Sequence, residues 1–348
     1  MLEILRTFVF FGLTALGGPA AHIALFQKFL VGEGKWVSRE QFTGMLALVN
    51  LIPGPNSTET AMLLGHARGG MRGLVIAGLG FIVPAALVTL LLVGLYREVA
   101  DLPVVQGAFL GLRIAVIALV AQALTELLPN PRKAPLTWGL AALGFALAAA
   151  GLPEWSVVIA AGLLFMLGRQ TRVLAVDPLS LLTFFLTVGS TLFGSGYVLV
   201  GLLGDTVSRG WLTSDQLLNA VSLGQITPGP FLTTATAAGY LAAGVPGAIL
   251  ATVGIFLPSF VFTALVAGVW RRSQGNAQLE AFLQGASGAA LGLIAWALWL
   301  LGRESLRGIP ELLFAGIALG LLLRKFPALP LLGLFALGGA LRILVTNA

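Results

Sequence analysis

Apolar residues follow one another in runs long enough to cross a bilayer, and the punctuation between runs is short. The runs are continuous rather than alternating, which predicts helices and argues against an outer-membrane barrel. A first span is predicted from Leu2 to Leu30, interrupted at Gly17-Gly18-Pro19. Two short helices, Ser38 to Ile52 and Asn56 to Ala67, flank Pro53-Gly54-Pro55. Long spans follow over Gly73 to Tyr96 and Pro103 to Leu128, then shorter ones over Pro135 to Ala150 and Pro153 to Gly168, closed by the basic stretch Arg169-Gln-Thr-Arg172.

The second half repeats that order. A span from Pro178 to Gly204 is interrupted at Gly194-Ser195-Gly196, and short helices from Thr213 to Thr227 and Phe231 to Ala243 flank Pro228-Gly229-Pro230. Spans over Gly247 to Trp270 and Gln278 to Leu301 precede a pair at Pro310 to Leu323 and Pro327 to Val345. Landmarks recur: Trp36 precedes Pro53 at the interval by which Trp211 precedes Pro228. Gly80-Phe-Ile-Val-Pro84 answers Gly254-Ile-Phe-Leu-Pro258, and Leu16-Gly17 answers Phe193-Gly194. The pattern is an internal duplication, with halves at 1–172 and 173–348.

Composition narrows the class. The chain is 57% hydrophobic and 10% charged, against about 25% charged in a soluble domain, so it is an all-α polytopic membrane protein. Its 45 glycines suit close helix approach. The opening MLEILRTFVFFGLTALGG loosely resembles a signal peptide, but Glu3 precedes Arg6 and no A-x-A site follows, so it is read as a retained first span. The absence of cysteine excludes disulfides, thiol chemistry and Cys-ligated metals.

Charge then sets orientation. Lys28, Lys35, Arg39, Arg68 and Arg72 surround the first short-helix pair, against Glu33 and Glu40, whereas the matching second-half loops hold Arg209 with Asp205 and Asp215. The positive-inside rule puts the first set in the cytoplasm and the second outside. Each half then contributes about five spans plus a re-entrant helical hairpin broken at Pro-Gly-Pro, and an odd number of crossings inverts one repeat relative to the other, as in many secondary transporters.

Proline removes a backbone donor and clashes with the preceding turn, so Pro-Gly-Pro ends a helix. Backbone freed in hydrocarbon is tolerated only where protein buries it or a polar cavity meets it. The interruptions at Gly17, Gly18, Pro53, Gly54, Pro55, Gly194, Gly196, Pro228, Gly229 and Pro230 are therefore candidate cavity linings. Each also frees the positive end of the following half-helix, a natural anion site.

Asn56, Ser57 and Thr58 beside the first break, and Thr227, Thr233 and Thr234 beside the second, offer hydroxyl and amide donors for an oxyanion. Asn56 and Thr227 also suit ordinary capping. Ionisable groups within spans are costly and need a partner or a role. Glu59 would carry a proton or pair with a cation, or serve as a capping-box acid. His22, one turn after Gly18-Pro19, would bond an anion or titrate, or be a satisfied structural histidine. Arg113 offers a fixed positive charge for a dianion or snorkels to the interface, and Glu126 is too far along a straight helix to pair with it. His66, Arg68 and Arg72 read as interfacial topology signals, and Trp36, Trp138, Trp155, Trp211 and Trp270 as interface anchors.

The stretches FGLTALGGPAAH (Phe11 to His22) and PGPNSTE (Pro53 to Glu59), the tryptophan before the break, and the second-half FGSGYV and TPGP with a following GxxxP resemble the chromate transporter family over essentially the whole chain, in its long two-domain form. The resemblance implies export of chromate across the cytoplasmic membrane, giving resistance, driven by the electrochemical gradient with proton coupling. It also implies sulfate as a competitor. It calls for no cofactor, metal or nucleic acid. Its partners are the oxyanion, protons and the lipid bilayer, with a homodimer left open.

The residues alone stop at an inverted-repeat anion transporter. An anion channel would use the same helix ends, though broken helices in both halves suit alternating access. A transporter of sulfate, molybdate or an organic acid fits the same groups. An intramembrane enzyme is disfavoured by two histidines, no cysteine and no H-E-x-x-H or G-x-S-x-G motif. The expected mechanism holds the dianion between the helix starts at Asn56 and Phe231, with Asn56, Ser57, Thr58, Thr233 and Arg113 as ligands and Glu59 or His22 titrating.

Overall fold

The computed structural model describes residues 1–16, 18–32, 35–49, 52–127, 135–150, 177–192, 198–273 and, from 295 to 346, all but 297, 300, 301, 304 and 307. The predicted helix at Pro153 to Gly168 lies outside these residues, as does most of that at Gln278 to Leu301. The described residues form helices α1 (Leu2–Thr14), α2 (Gly18–Leu30), α3 (Arg39–Val49), α4 (Asn56–Val99), α5 (Pro103–Leu127) and α6 (Pro135–Ala149) in the first half. The second half holds α7 (Pro178–Thr191), α8 (Val198–Leu202), α9 (Gly204–Ser208), α10 (Ser214–Ile226), α11 (Thr234–Ser273), α12 (Ile309–Leu323) and α13 (Ala328–Thr346). Stretches of α4, of α5 and of the segment Phe231–Ala267 are long and apolar enough to cross a membrane.

Each of the two longest helices is two arms. In α4, Gly69 and Gly70 leave helical geometry, with Gly70 at φ +61°, and in α11 Ala243 and Gly244 do the same, with Gly244 at φ +66°. The arms double back on each other: a side chain on Gly65 would strike Gly73 and Ala77, and one on Gly239 would strike Gly247 and Ala251. The absence of side chains at these glycines lets the backbones pack, the small-residue contact that drives helix association in lipid.

The span expected from Leu2 to Leu30 is corrected. The rings of Phe8 and Phe26 lie 5.9 Å apart, and those of Phe11 and Phe26 5.2 Å, whereas one continuous helix would separate Phe8 from Phe26 by about 27 Å. The chain reverses after Ala15, and α2 returns along α1. Pro19, at the start of α2, lacks only a donor that a helix start leaves unpaired. The span expected from Pro178 to Gly204 turns back likewise, since Trp211 beyond α9 meets Phe184 of α7 at 5.5 Å, with Arg209 at 5.3 Å over both rings.

One end of the molecule gathers Glu3, Trp36 and Arg68. Trp36 Nε1 donates to Glu3 Oε1 at 3.1 Å, and Arg68 Nη2 pairs with Glu3 Oε2 at 3.2 Å. The starts of α1 and α3 and the end of the short α4 arm therefore share that end. The long arm of α4 leaves it at Arg72, and Tyr96 stands about 36 Å further along. There Asn219 Nδ2 of α10 donates to the Tyr96 hydroxyl at 2.5 Å. The start of α10, held by a capping box between Thr213 and Gln216, is thus at the opposite end from the start of α3.

Candidate functional site

The two Pro-Gly-Pro breaks are built alike. The first joins α3 to the short arm of α4, and Gly54 adopts φ +142°. The second joins α10 to a 3-10 turn over Phe231–Thr233 that leads into α11, and Gly229 adopts φ +88°. Both angles favour glycine, which has no Cβ to clash. Each glycine amide is satisfied by the other half: Gly54 N–H donates to Leu192 O at 2.6 Å, and Gly229 N–H donates to Ala15 O at 2.8 Å. Ala15 and Leu192 are the residues that end α1 and α7. Each broken helix therefore docks on the reversal of the first helix pair of the opposite half. Gly17, Gly194 and Gly196 lie outside the described residues, and Gly18 begins α2.

Helix α4 starts without a side-chain cap. Pro55 occupies the capping position, its carbonyl accepts Thr58 N–H at 2.8 Å and Glu59 N–H at 3.1 Å, and Asn56 is the first helical residue. Thr227 closes α10 instead, its Oγ1 donating to Gly224 O at 3.1 Å. Thr233 and Thr234 donate to Pro230 O at 3.0 Å and Phe231 O at 2.8 Å. Ser57, Thr58, Glu59 and Thr60 are all buried, and Thr60 Oγ1 donates to Asn56 O at 2.6 Å.

Glu59 is the exceptional group. It is fully buried, and among the described residues neither carboxyl oxygen has a hydrogen-bond partner, so it does not serve as a capping-box acid. A side chain on Gly54 would strike both Glu59 Oε1 and Ser259 Oγ, so these two oxygens converge on the glycine. Ser259, Thr263 and Thr58 are fully buried too, and their hydroxyls have no partner among the described residues. Ser259 and Thr263 were missed by sequence reasoning. The signal was a polar residue directly after Pro258, where the first half has Ala85 after Pro84.

His22 belongs to the other junction. Its Nε2 lies 3.2 Å from Ala15 O, the carbonyl that Gly229 also uses, and its ring meets Phe81 edge-on at 5.4 Å. A carbonyl only accepts, so Nε2 carries the proton and Nδ1, buried and unpartnered among the described residues, is an acceptor in the neutral ring.

Arg113 does not join this group. Its Nη1 pairs with Asp215 at 2.7 Å, and its Nε donates to Asn219 Oδ1 at 2.7 Å, at the end of the molecule where α10 begins. Asp215 is largely exposed, so the ion pair contributes little, whereas Asn219 is 2% exposed. Arg113→Met is expected to lower unfolding stability by about 1–3 kcal/mol, chiefly through the buried Asn219 oxygen left unpaired. Anion flux per folded molecule should be unchanged, as thermal melting and a vesicle flux assay on the same preparation would record.

Among the described residues no group of three His, Cys, Asp or Glu side chains could hold a metal ion. The geometry provides two freed helix starts with hydroxyl-bearing first turns, one unpaired carboxyl group and one histidine. That set suits binding an anion and exchanging a proton beside it, rather than bond-breaking chemistry.

A family model described as "Chromate transporter" matches the chain twice, over residues 2–166 and 179–343. The chain is 31% identical over 346 residues to a chromate transport protein of Pseudomonas aeruginosa, covering 89% of this chain and 83% of that one. It is 31% identical over 349 residues to a probable chromate transport protein of Synechococcus elongatus, covering 91% and 88%. A chromate transport protein of Cupriavidus metallidurans is 29% identical over 352 residues, with 92% and 88% covered. No solved structure matches the chain.

Proposed function

This chain belongs to the chromate transporter family, and from that premise we propose a secondary active transporter that exports chromate across the cytoplasmic membrane, coupled to protons or to the membrane potential, and so confers resistance. The family is one of transporters, not of enzymes, and the protein is an integral membrane protein. An inside-negative potential drives anions outward at about 2.3 kcal/mol per elementary charge per 100 mV, so a dianion is strongly driven even without a coupled ion.

The halves 1–172 and 173–348 act as inverted repeats. In support, α3 and α10 begin at opposite ends of the long arm of α4, and the family model matches once on each side of residue 172. The oxyanion sits between the helix starts at Asn56 and Phe231. Asn56, Ser57 and Thr58 hold it from one half, and Thr227, Thr233 and Thr234 from the other once their hydroxyls turn from the backbone. Arg113, engaged by Asp215 and Asn219, is not among the ligands of this site. Glu59 or His22 is the titrating partner. The observation that carries this assignment is the reciprocal docking of Gly54 on Leu192 and Gly229 on Ala15, which brings both breaks into the interface between the halves. Sulfate, a tetrahedral dianion like chromate, competes.

The test is chromate flux in proteoliposomes under an imposed pH gradient or membrane potential, with Asn56→Ala and Glu59→Gln alongside. Wild type is expected to move chromate with the gradient. Asn56→Ala should lose at least ~10-fold of the flux, about the worth of one charge-assisted hydrogen bond, and Glu59→Gln should lose the pH response. Movement of sulfate but not chromate would overturn the substrate, and movement of neither under any gradient would overturn the transporter.

A further inference from the structure

We propose that Glu59, Ser259 and Thr263 form a binding site for a small, hard monovalent cation, sodium, at the seam between the two halves. The site rests on the transporter assignment and gives it a second coupling ion that competes with the proton for one carboxylate.

Three observations converge. The first is position. Glu59 lies on the short arm of α4 and Ser259 on the long arm of α11, yet Glu59 Oε1 and Ser259 Oγ both face Gly54, where a glycine at φ +142° leaves room for them. Leu63, one turn beyond Glu59, shares an apolar cluster with Val266 and Ala267, one turn beyond Thr263, which keeps the two arms side by side. Thr263 follows Ser259 by one helical turn and so projects from the same face.

The second is the number of oxygens. Glu59 Oε1 and Oε2, Ser259 Oγ and Thr263 Oγ1 are all fully buried, and none has a hydrogen-bond partner among the described residues. A proton on the carboxyl group would pair one of its oxygens with one acceptor and leave the rest unmatched. A hard cation takes several oxygen ligands at once, carboxylate and hydroxyl together. Broken helices of transporters supply backbone carbonyls to such ions as well.

The third is charge. One carboxylate balances one positive charge, and the described residues hold no acidic cluster of the size a divalent ion uses. Arg113 is engaged by Asp215 and Asn219. The matching junction of the other half carries Thr234 in place of Glu59 and Ala85 in place of Ser259, so it has no carboxylate. One site per chain follows.

The experiment is binding of radioactive sodium to the full chain, purified and held in lipid nanodiscs at alkaline pH. The expected result is saturable binding of one sodium per chain, lost in Glu59→Gln, weakened at least ~10-fold in Ser259→Ala and kept in Ser259→Thr. Ser259→Ala removes a single hydroxyl, so it tests the site even if Glu59→Gln fails to fold. No saturable binding to folded wild type, or binding that survives Glu59→Gln, overturns the proposal. Chromate flux in liposomes separates the two assignments. Flux equal in sodium and in choline overturns sodium as a coupling ion and leaves the transporter standing. Sodium binding without any anion flux supports the site and overturns the transporter.

Discussion

Gly54→Ala is expected to abolish anion flux in a protein that still inserts and purifies. Three separate demands meet at this residue. Its φ of +142° lies where a non-glycine residue is strained, at a cost of about 1–3 kcal/mol. The added methyl group would enter the space that Glu59 Oε1 and Ser259 Oγ occupy, and overpacking of that kind costs about 1–3 kcal/mol more. Relief by moving the backbone would break the bond from Gly54 N–H to Leu192 O. Every route of escape displaces either the carboxyl group or the contact between the halves. A flux assay and size-exclusion chromatography on one preparation check the prediction. Wild-type flux in Gly54→Ala would show that the first break is not part of the transport path.

Gly65→Val is expected to act earlier, on assembly. The short and long arms of α4 meet through Gly65 and Gly73, and a side chain at 65 would strike the Gly73 backbone and the Ala77 methyl group. The neighbouring atoms are backbone or a Cβ fixed to it, so they cannot turn aside as a flexible side chain would. Opening the arms would also move Met62, which packs near Gly78, and through it the start of α4 where Asn56 to Glu59 stand. The expected readout is a loss of at least ~10-fold in monodisperse protein, the consequence of about 1.4 kcal/mol or more. Gly139→Ala, where nothing lies within 4 Å, is the comparison and should leave the yield unchanged. Normal yield of Gly65→Val would refute close packing of the arms.

Local chemistry made part of this architecture legible in the sequence. Pro53, Pro55, Pro228 and Pro230 stop helices by removing donors, and α3 and α10 end within a few residues of the predicted positions. The gap left between Ala67 and Gly73 became the reversal at Gly69 and Gly70. The reversal after Ala15 was not legible, because a Gly-Gly-Pro interruption reads the same whether the helix resumes or turns back. Deciding it takes the contact of Phe8 with Phe26, a property of packing. The partner of Arg113 was hidden for a similar reason. Asp215 comes from the other half of the chain, and sequence proximity offered only Glu126. Asn56, Ser57, Thr58 and Glu59 stand out in the sequence because polar residues beside a break are conspicuous. Ser259 and Thr263 sit in a largely apolar run, and it takes the packing around Gly54 to bring Ser259 to Glu59.

The exchanged bonds at Gly54 and Gly229 bear on how such a chain can have arisen. A polypeptide the length of either half would carry an amide at its break, Gly54 or Gly229, whose partner here lies in the other half. In lipid each such amide left unpaired would cost several kcal/mol. Two such half-length chains relieve one another as the present halves do, so pairing would have preceded fusion. The two sides of the present pairing are not alike, with Glu59 opposite Thr234 and Ser259 opposite Ala85.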